Sequence, residues 1–124
     1  MVGIGLQLYT VRDACARDLE SALRTVAGFG YDGVELYDLH GHEPSRVRGW
    51  LDELGLVVAG RHAGFAALES DLPALAAELA VLGADRIALS FVDPPRAVEE
   101  ARPLVEWIAA TAAHAPELGL RLGF

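Results

Sequence analysis

Two kinds of short stretch in this chain carry side chains suited to acid–base or metal chemistry. "DLHGHEP" places Asp38, His40, His42 and Glu43 within six residues. Carboxylates and imidazoles are the donors that divalent ions take, and His-x-His pairs occur in metal sites. The plainer reading of the same run is a solvated loop, and it is preferred here. Elsewhere, "DGVELY" offers the carboxylate of Glu35 and "AGRHAG" the imidazole of His62, a group that titrates near neutral pH. Cys15 has no His or Lys beside it in sequence, so nothing nearby would turn its thiol into a nucleophile. Arg12 and Asp13 in "TVRD" either pair with each other or shape the rim of a loop. Glu99 and Glu100 stand at i,i+3 and i,i+4 spacings from Arg96 and Arg102, which reads as a charged helix face.

The elements that position these groups follow from a repeated grammar. Four times an amphipathic stretch closes on glycine and a short β-rich run follows: "GFGYDGVELY", "ELGLVVAGRH", "VLGADRIALS" and "ELGLRLGF". The closing residues are Gly30, Gly55, Gly83 and Gly119. Glycine is the residue best suited to the left-handed conformation that ends many helices. With the opening run "VGIGLQLY", the chain predicts five strands alternating with four helices.

The first helix opens at Asp18 as N-cap, with Leu19, Ala22, Leu23 and Val26 in one stripe. The second starts at Pro44 or Ser45 and turns Val47, Trp50, Leu51 and Leu54 to one side. The third, "SDLPALAAELAVLG", carries Leu72, Leu75, Leu79 and Leu82. The fourth is long; Pro103 is expected to kink or split it, and Pro116 to end it.

Strict alternation with short loops predicts parallel strands joined by crossover helices. Such strands build either an open doubly wound sheet or part of a (β/α)8 barrel. Strand parity favours the barrel. Ile4, Leu6 and Leu8 share one face, and Gly3, Gly5, Gln7 and Tyr9 the other. Val34 and Leu36 likewise oppose Gly33, Glu35 and Tyr37. One aliphatic face and one face of glycine, polar and aromatic residues suit a barrel interior with a site at its mouth. An open sheet is more often aliphatic on both faces. No phosphate loop of the G-x-G-x-x-G or Walker type follows the first strand.

Bulk properties narrow the function. At 124 residues the chain suits one domain. Hydrophobic content is 52% and mean hydropathy +0.28, yet no apolar run approaches the ~18 residues of a membrane span. The N-terminus lacks a basic segment before its apolar stretch, which argues against a signal peptide. A single cysteine permits no intrachain disulfide and fits a reducing cytoplasm. The net charge of −8 argues against a nucleic-acid partner. It leaves small anionic substrates open, since a few local arginines can override the overall field.

"IGLQLYTVRD", "GFGYDGVELYDLHG", "LDELGLVVAGRHAG" and "LGADRIALSF" together resemble the N-terminal half of a xylose isomerase-like TIM barrel. The resemblance is to the sugar phosphate isomerase/epimerase family and its inosose dehydratase and hydroxypyruvate isomerase relatives. It covers residues 1–124 as one half-barrel domain, a parallel (βα)4β unit truncated in or just after strand five. It implies a divalent metal (Mn, Mg, Co or Zn) at the C-terminal mouth of the barrel, with Glu, Asp and His ligands from strand five onward. On strand five Leu120, Leu122 and Phe124 are expected to face the helices, and Arg121 and Gly123 to face inward. The ligands are therefore expected beyond Phe124.

The resemblance also gives the candidate site residues their roles. Glu35 would contact substrate or support the metal; the alternative is a barrel-interior ion pair with Arg or Lys. His62 would line the substrate pocket, in preference to ligating metal; the alternative is a histidine bonded to backbone. Gln7 and Tyr9 would hydrogen-bond a sugar or polyol, or simply pack at the barrel top. Ser90 is a weaker candidate.

The function implied is proton transfer next to a carbonyl in a metal-dependent sugar or polyol (phosphate) isomerase or epimerase, of which this chain is an inactive half. An inosose dehydratase-type lyase shares the first proton abstraction. An apurinic endonuclease-like enzyme fits poorly with the negative charge and the lack of a Lys-rich loop. A non-catalytic half-barrel that self-associates through unprotected edge strands one and five is the third reading.

Overall fold

The computed structural model describes residues 3–90, 92–93, 95 and 98–123. The expected places of Arg96 on a charged helix face and of Phe124 toward the helices lie outside the described residues. Five strands form one parallel sheet in the order of the chain: β1 (Gly5–Gln7), β2 (Gly33–Leu36), β3 (Val57–Ala63), β4 (Arg86–Leu89) and β5 (Arg121–Gly123). Consecutive parallel neighbours joined by right-handed crossovers carry all their helices on one face. The opposite face is left bare. This is the arrangement of half a (β/α)8 barrel, with no reversal of strand order of the doubly wound kind.

The helix-facing residues build the core. Leu8, Leu19, Leu23, Val34, Leu36, Val47 and Leu51 lie in one buried cluster, and Leu68, Leu72, Leu79, Ile87, Leu89 and Leu120 in a second. Burying one such side chain contributes about 1.5–3 kcal/mol. Leu122 packs against the second cluster, while Arg121 and Gly123 are exposed. Strand five therefore has the predicted parity.

Asp18 caps α2 (Leu19–Gly28) by accepting from the backbone N–H of Ser21 at 2.9 Å. Pro44 opens α3 (Pro44–Leu54), which ends on Gly55 in the left-handed conformation.

Several elements differ from expectation. The opening strand is only three residues long, because the chain coils into a 3-10 turn at Leu8–Val11 and a short helix, α1 (Arg12–Arg17), before Asp18. Ile4 precedes β1 and is 65% exposed rather than covered. The third predicted helix starts earlier, as α4 (Phe65–Leu82). It kinks at Asp71, whose carboxylate accepts from the N–H of Ala74 at 2.9 Å and so caps the second half internally. The fourth helix, α5 (Val98–His114), continues through Pro103. A 3-10 turn over Ala115–Leu118 holds Pro116 after the helix has ended.

The sheet contains one irregularity, between β2 and β3. Val34 pairs with Val58, but Glu35 pairs with Gly60, so Ala59 is an extra residue. A bulge of this kind shifts which residues face each side beyond it. Arg61 consequently turns to the helix side, where it forms a half-buried ion pair with Glu78 of α4. Burial lowers the pKa of the Arg61 guanidinium, opposed by the Asp38 carboxylate.

Cys15 is 1% exposed within the first cluster, and burial raises its thiol pKa. A raised folded-state pKa gives stability that is complete below the unfolded thiol's value of about 8.5 and falls as pH climbs above it. Urea titrations are therefore expected to show stability declining as pH rises above about 8.5, and Cys15→Ala to flatten that decline. Native protein should react with a thiol reagent only on unfolding.

A tightly enclosed sheet glycine can be separated from a permissive helix glycine. A Cβ on Gly33 would lie 2.7 Å from the carbonyl oxygen of Val57, whereas one on Gly28 meets nothing within 4 Å. Gly33→Ala is expected to destabilise by about 1–3 kcal/mol, and Gly28→Ala to be neutral or stabilising by up to about 1 kcal/mol; both are read from chemical denaturation.

Candidate functional site

The bare face of the sheet carries a cleft at the C-terminal ends of β1–β4. Its volume is about 490 Å³, and Gln7, Tyr9, Tyr37, His62 and Ser90 are among its lining residues. Register explains the grouping. Gln7 and Glu35 are direct cross-strand partners, and both follow strand residues that face the helices. His62 joins them only because of the bulge. Strict alternation from buried Val58 would send residue 62 to the helix side; the extra residue Ala59 returns it to the bare face.

Three of the predicted residues form one hydrogen-bonded array. His62 Nε2 lies 3.0 Å from Glu35 Oε2. Gln7 Nε2 lies 3.2 Å from His62 Nδ1 and 3.3 Å from Nε2. One neutral tautomer satisfies the array: His62 Nε2–H donates to Glu35, and Nδ1 accepts from the Gln7 amide. Both ring nitrogens are then engaged. The imidazole is held in place, and the second carboxylate oxygen of Glu35 is the basic atom left to meet a ligand. The alternative reading of Glu35, an ion pair with Arg or Lys, is not what forms: its partner is His62.

Tyr9 sits in the 3-10 turn after β1 and is 52% exposed. Its ring meets Tyr37 edge-on at 5.2 Å, and the Arg12 guanidinium stacks over it at 4.8 Å. Arg12 also donates to the Tyr9 carbonyl at 3.2 Å. Arg12 is thus tied to Tyr9 and not to Asp13. Ser90 is exposed beside the cleft, its N–H bonded to the Ala63 carbonyl at 3.0 Å.

The "DLHGHEP" loop divides its histidines. His40 Nε2 lies 3.0 Å from the Tyr37 hydroxyl, while His42 packs edge-on against Trp50 at 5.0 Å. Tyr37 was not singled out from the sequence. Its inward parity, two residues beyond Glu35, was the available signal. Partial desolvation raises the Tyr37 phenol pKa, and the nearby Cys15, Asp38 and Tyr9 act in the same direction.

The implied divalent ion can be tested against these residues. Among the described residues, no three His, Cys, Asp or Glu side chains lie close enough to share a metal. On the bare face Glu35 and His62 are already bonded to each other. Two donors do not complete the four- to sixfold coordination of such ions. The residues present do not make a metal site by themselves.

No family model and no curated protein matches the chain. Solved structures do. A sugar phosphate isomerase/epimerase from Parabacteroides distasonis matches with a TM-score of 0.80 at 18% identity, over 94% of this chain and 51% of that one. The probable 3-DHS dehydratase AsbF from Bacillus anthracis matches with a TM-score of 0.74 at 11% identity, over 98% of this chain and 51% of that one. A xylose isomerase-like TIM barrel/4-hydroxyphenylpyruvate dioxygenase fusion protein matches at 0.71 and 19% identity, over 98% of this chain and 21% of that one. The chain therefore has the fold of half a xylose isomerase-like TIM barrel. It spans about half the length of the isomerase and dehydratase structures it matches. Among the described residues, no helix is long and apolar enough to cross a membrane.

The array predicts measurable coupling. A double-mutant cycle with Glu35→Ala and His62→Ala is expected to give about 0.5–1 kcal/mol of interaction energy in urea unfolding, between the values for solvated pairs and for buried hydrogen bonds to charge. Strict additivity would contradict the pairing.

Proposed function

We propose that this chain supplies one wall of a sugar or polyol isomerase/epimerase site, in which Glu35, His62, Gln7 and Tyr9 bind substrate. The carrying observation is the Glu35–His62–Gln7 array at the C-terminal ends of parallel strands, the end of this fold where βα loops build active sites. Glu35 presents its free oxygen to a substrate hydroxyl or to the proton next to a carbonyl. His62 orients that carboxylate and Gln7 orients His62. Tyr9 adds an exposed aromatic surface at the mouth. A divalent ion, when bound, would polarise the carbonyl and its neighbouring oxygen; its ligands would have to come from outside the five strands described. Loss of water after the same proton abstraction would give a dehydratase, and a probable dehydratase is among the matching structures.

The reading includes an oligomeric consequence. β1 and β5 each have a single strand neighbour among the described residues, and open edges recruit further strands. The chain in isolation is expected to run as a dimer or larger species in light scattering; a sharp monomer peak would sink this part.

The function itself is tested by titrating 15N-labelled protein with aldoses, ketoses, polyols and their phosphates. Shifts are expected at the Gln7 amide and the His62 ring for at least one class, and are expected to vanish in Glu35→Ala. The 124-residue chain is also expected to show no aldose–ketose turnover with Mn(II) above the Glu35→Ala control.

A further inference from the structure

Tyr37 and His40 form a second polar pair on the rim of the same cleft, separate from the Glu35 array. The phenolic oxygen of Tyr37 lies 3.0 Å from His40 Nε2, and the two rings meet edge-on at 5.5 Å. His40 reaches this position at a conformational cost. Its φ is +50°, and it is the one non-glycine residue with positive φ among the described residues. L-residues other than glycine are disfavoured there. The Asp38 carboxylate holds the turn by accepting from the His40 N–H at 2.6 Å. Gly41, next in the chain, takes the same half of conformational space at φ +77° without that cost. A glycine at position 40 would relieve the strain and lose only the imidazole. The strained backbone is what aims the ring at Tyr37.

A phenol is a better donor than acceptor, and a neutral imidazole nitrogen is a good acceptor. With its O–H donated to His40 Nε2, the Tyr37 oxygen, which lines the cleft, keeps its lone pairs free to accept. We propose that Tyr37 contacts substrate as a hydrogen-bond acceptor for a hydroxyl of a neutral polyol, and that His40 is the positioning residue that fixes this orientation. The inference rests on the reading of the cleft as a sugar or polyol site and selects hydroxyl donors over phosphate as the group read at this rim.

The test uses three neutral polyols (xylitol, ribitol and myo-inositol) with the wild-type chain, Tyr37→Phe and His40→Gly, measuring affinity by titration and melting temperature in parallel. The wild type is expected to bind at least one. Tyr37→Phe is expected to weaken that ligand about fivefold, the loss of one neutral hydrogen bond. His40→Gly is expected to weaken it about threefold while its melting temperature stays level or rises, because the backbone strain is gone. A merely structural His40 would lower affinity and melting temperature together, which overturns the assignment. Wild-type affinity in Tyr37→Phe, or in His40→Gly, also overturns it while leaving the wall reading intact. Failure of the wild type to bind any of the three overturns this assignment, and the wall reading falls with it only if aldoses, ketoses and their phosphates fail to bind as well.

Discussion

The five strands of this protein and the four crossovers between them obey one constraint: parallel neighbours in chain order, linked with the usual single hand, send their helices to the same side of the sheet. The rest of the structure depends on this. It explains why Val34, Leu36, Ile87 and Leu89 are buried while Gln7, Glu35 and His62 on neighbouring strands keep partial access to solvent. In a closed barrel the bare face becomes the interior, and its upper rim becomes the site. In this chain that face is a wall, and the polar residues it carries find partners along the wall itself.

The bulge at Ala59 is the local device that makes the wall chemical. A strand's alternation gives each face every second residue, and one inserted residue exchanges the faces beyond it. Past Ala59, Arg61 goes under α4 to Glu78 and His62 comes out to Glu35 and Gln7. Two charged groups are thereby sorted at once. The guanidinium acquires a carboxylate under the helix layer, and the imidazole acquires the carboxylate of Glu35 on the bare face. Gly60 permits this, since a Cβ there would come within 3.1 Å of the Arg86 carbonyl.

The loop after β2 follows a different logic. Its acidic and histidine residues look in sequence like a ligand cluster, but the turn at His40 and Gly41 sends the two imidazoles apart. His40 returns to Tyr37 at the cleft, and His42 lies on Trp50 of α3 beneath Arg46. Closeness in sequence does not gather side chains when a left-handed turn separates their directions.

The sequence by itself determined the class of fold, because that rests on periodicity and punctuation. The glycine stops at Gly30, Gly55, Gly83 and Gly119, the Asp18 cap and the alternating faces of β2 and β5 are local signals, and each appears in the structure. It also placed Glu35 and Gln7 on the inner face by parity alone. Short helices without a stripe, such as α1, and the internal cap at Asp71 that lets α4 begin at Phe65 were not legible, since their stability comes from packing on the sheet. Only the tertiary structure decided that His62 meets Glu35, that Arg61 does not, and that Tyr37 belongs to the site. These outcomes depend on register between strands 24 or more residues apart in the chain. Register is a property of paired strands and their packing, and no single stretch of sequence contains it.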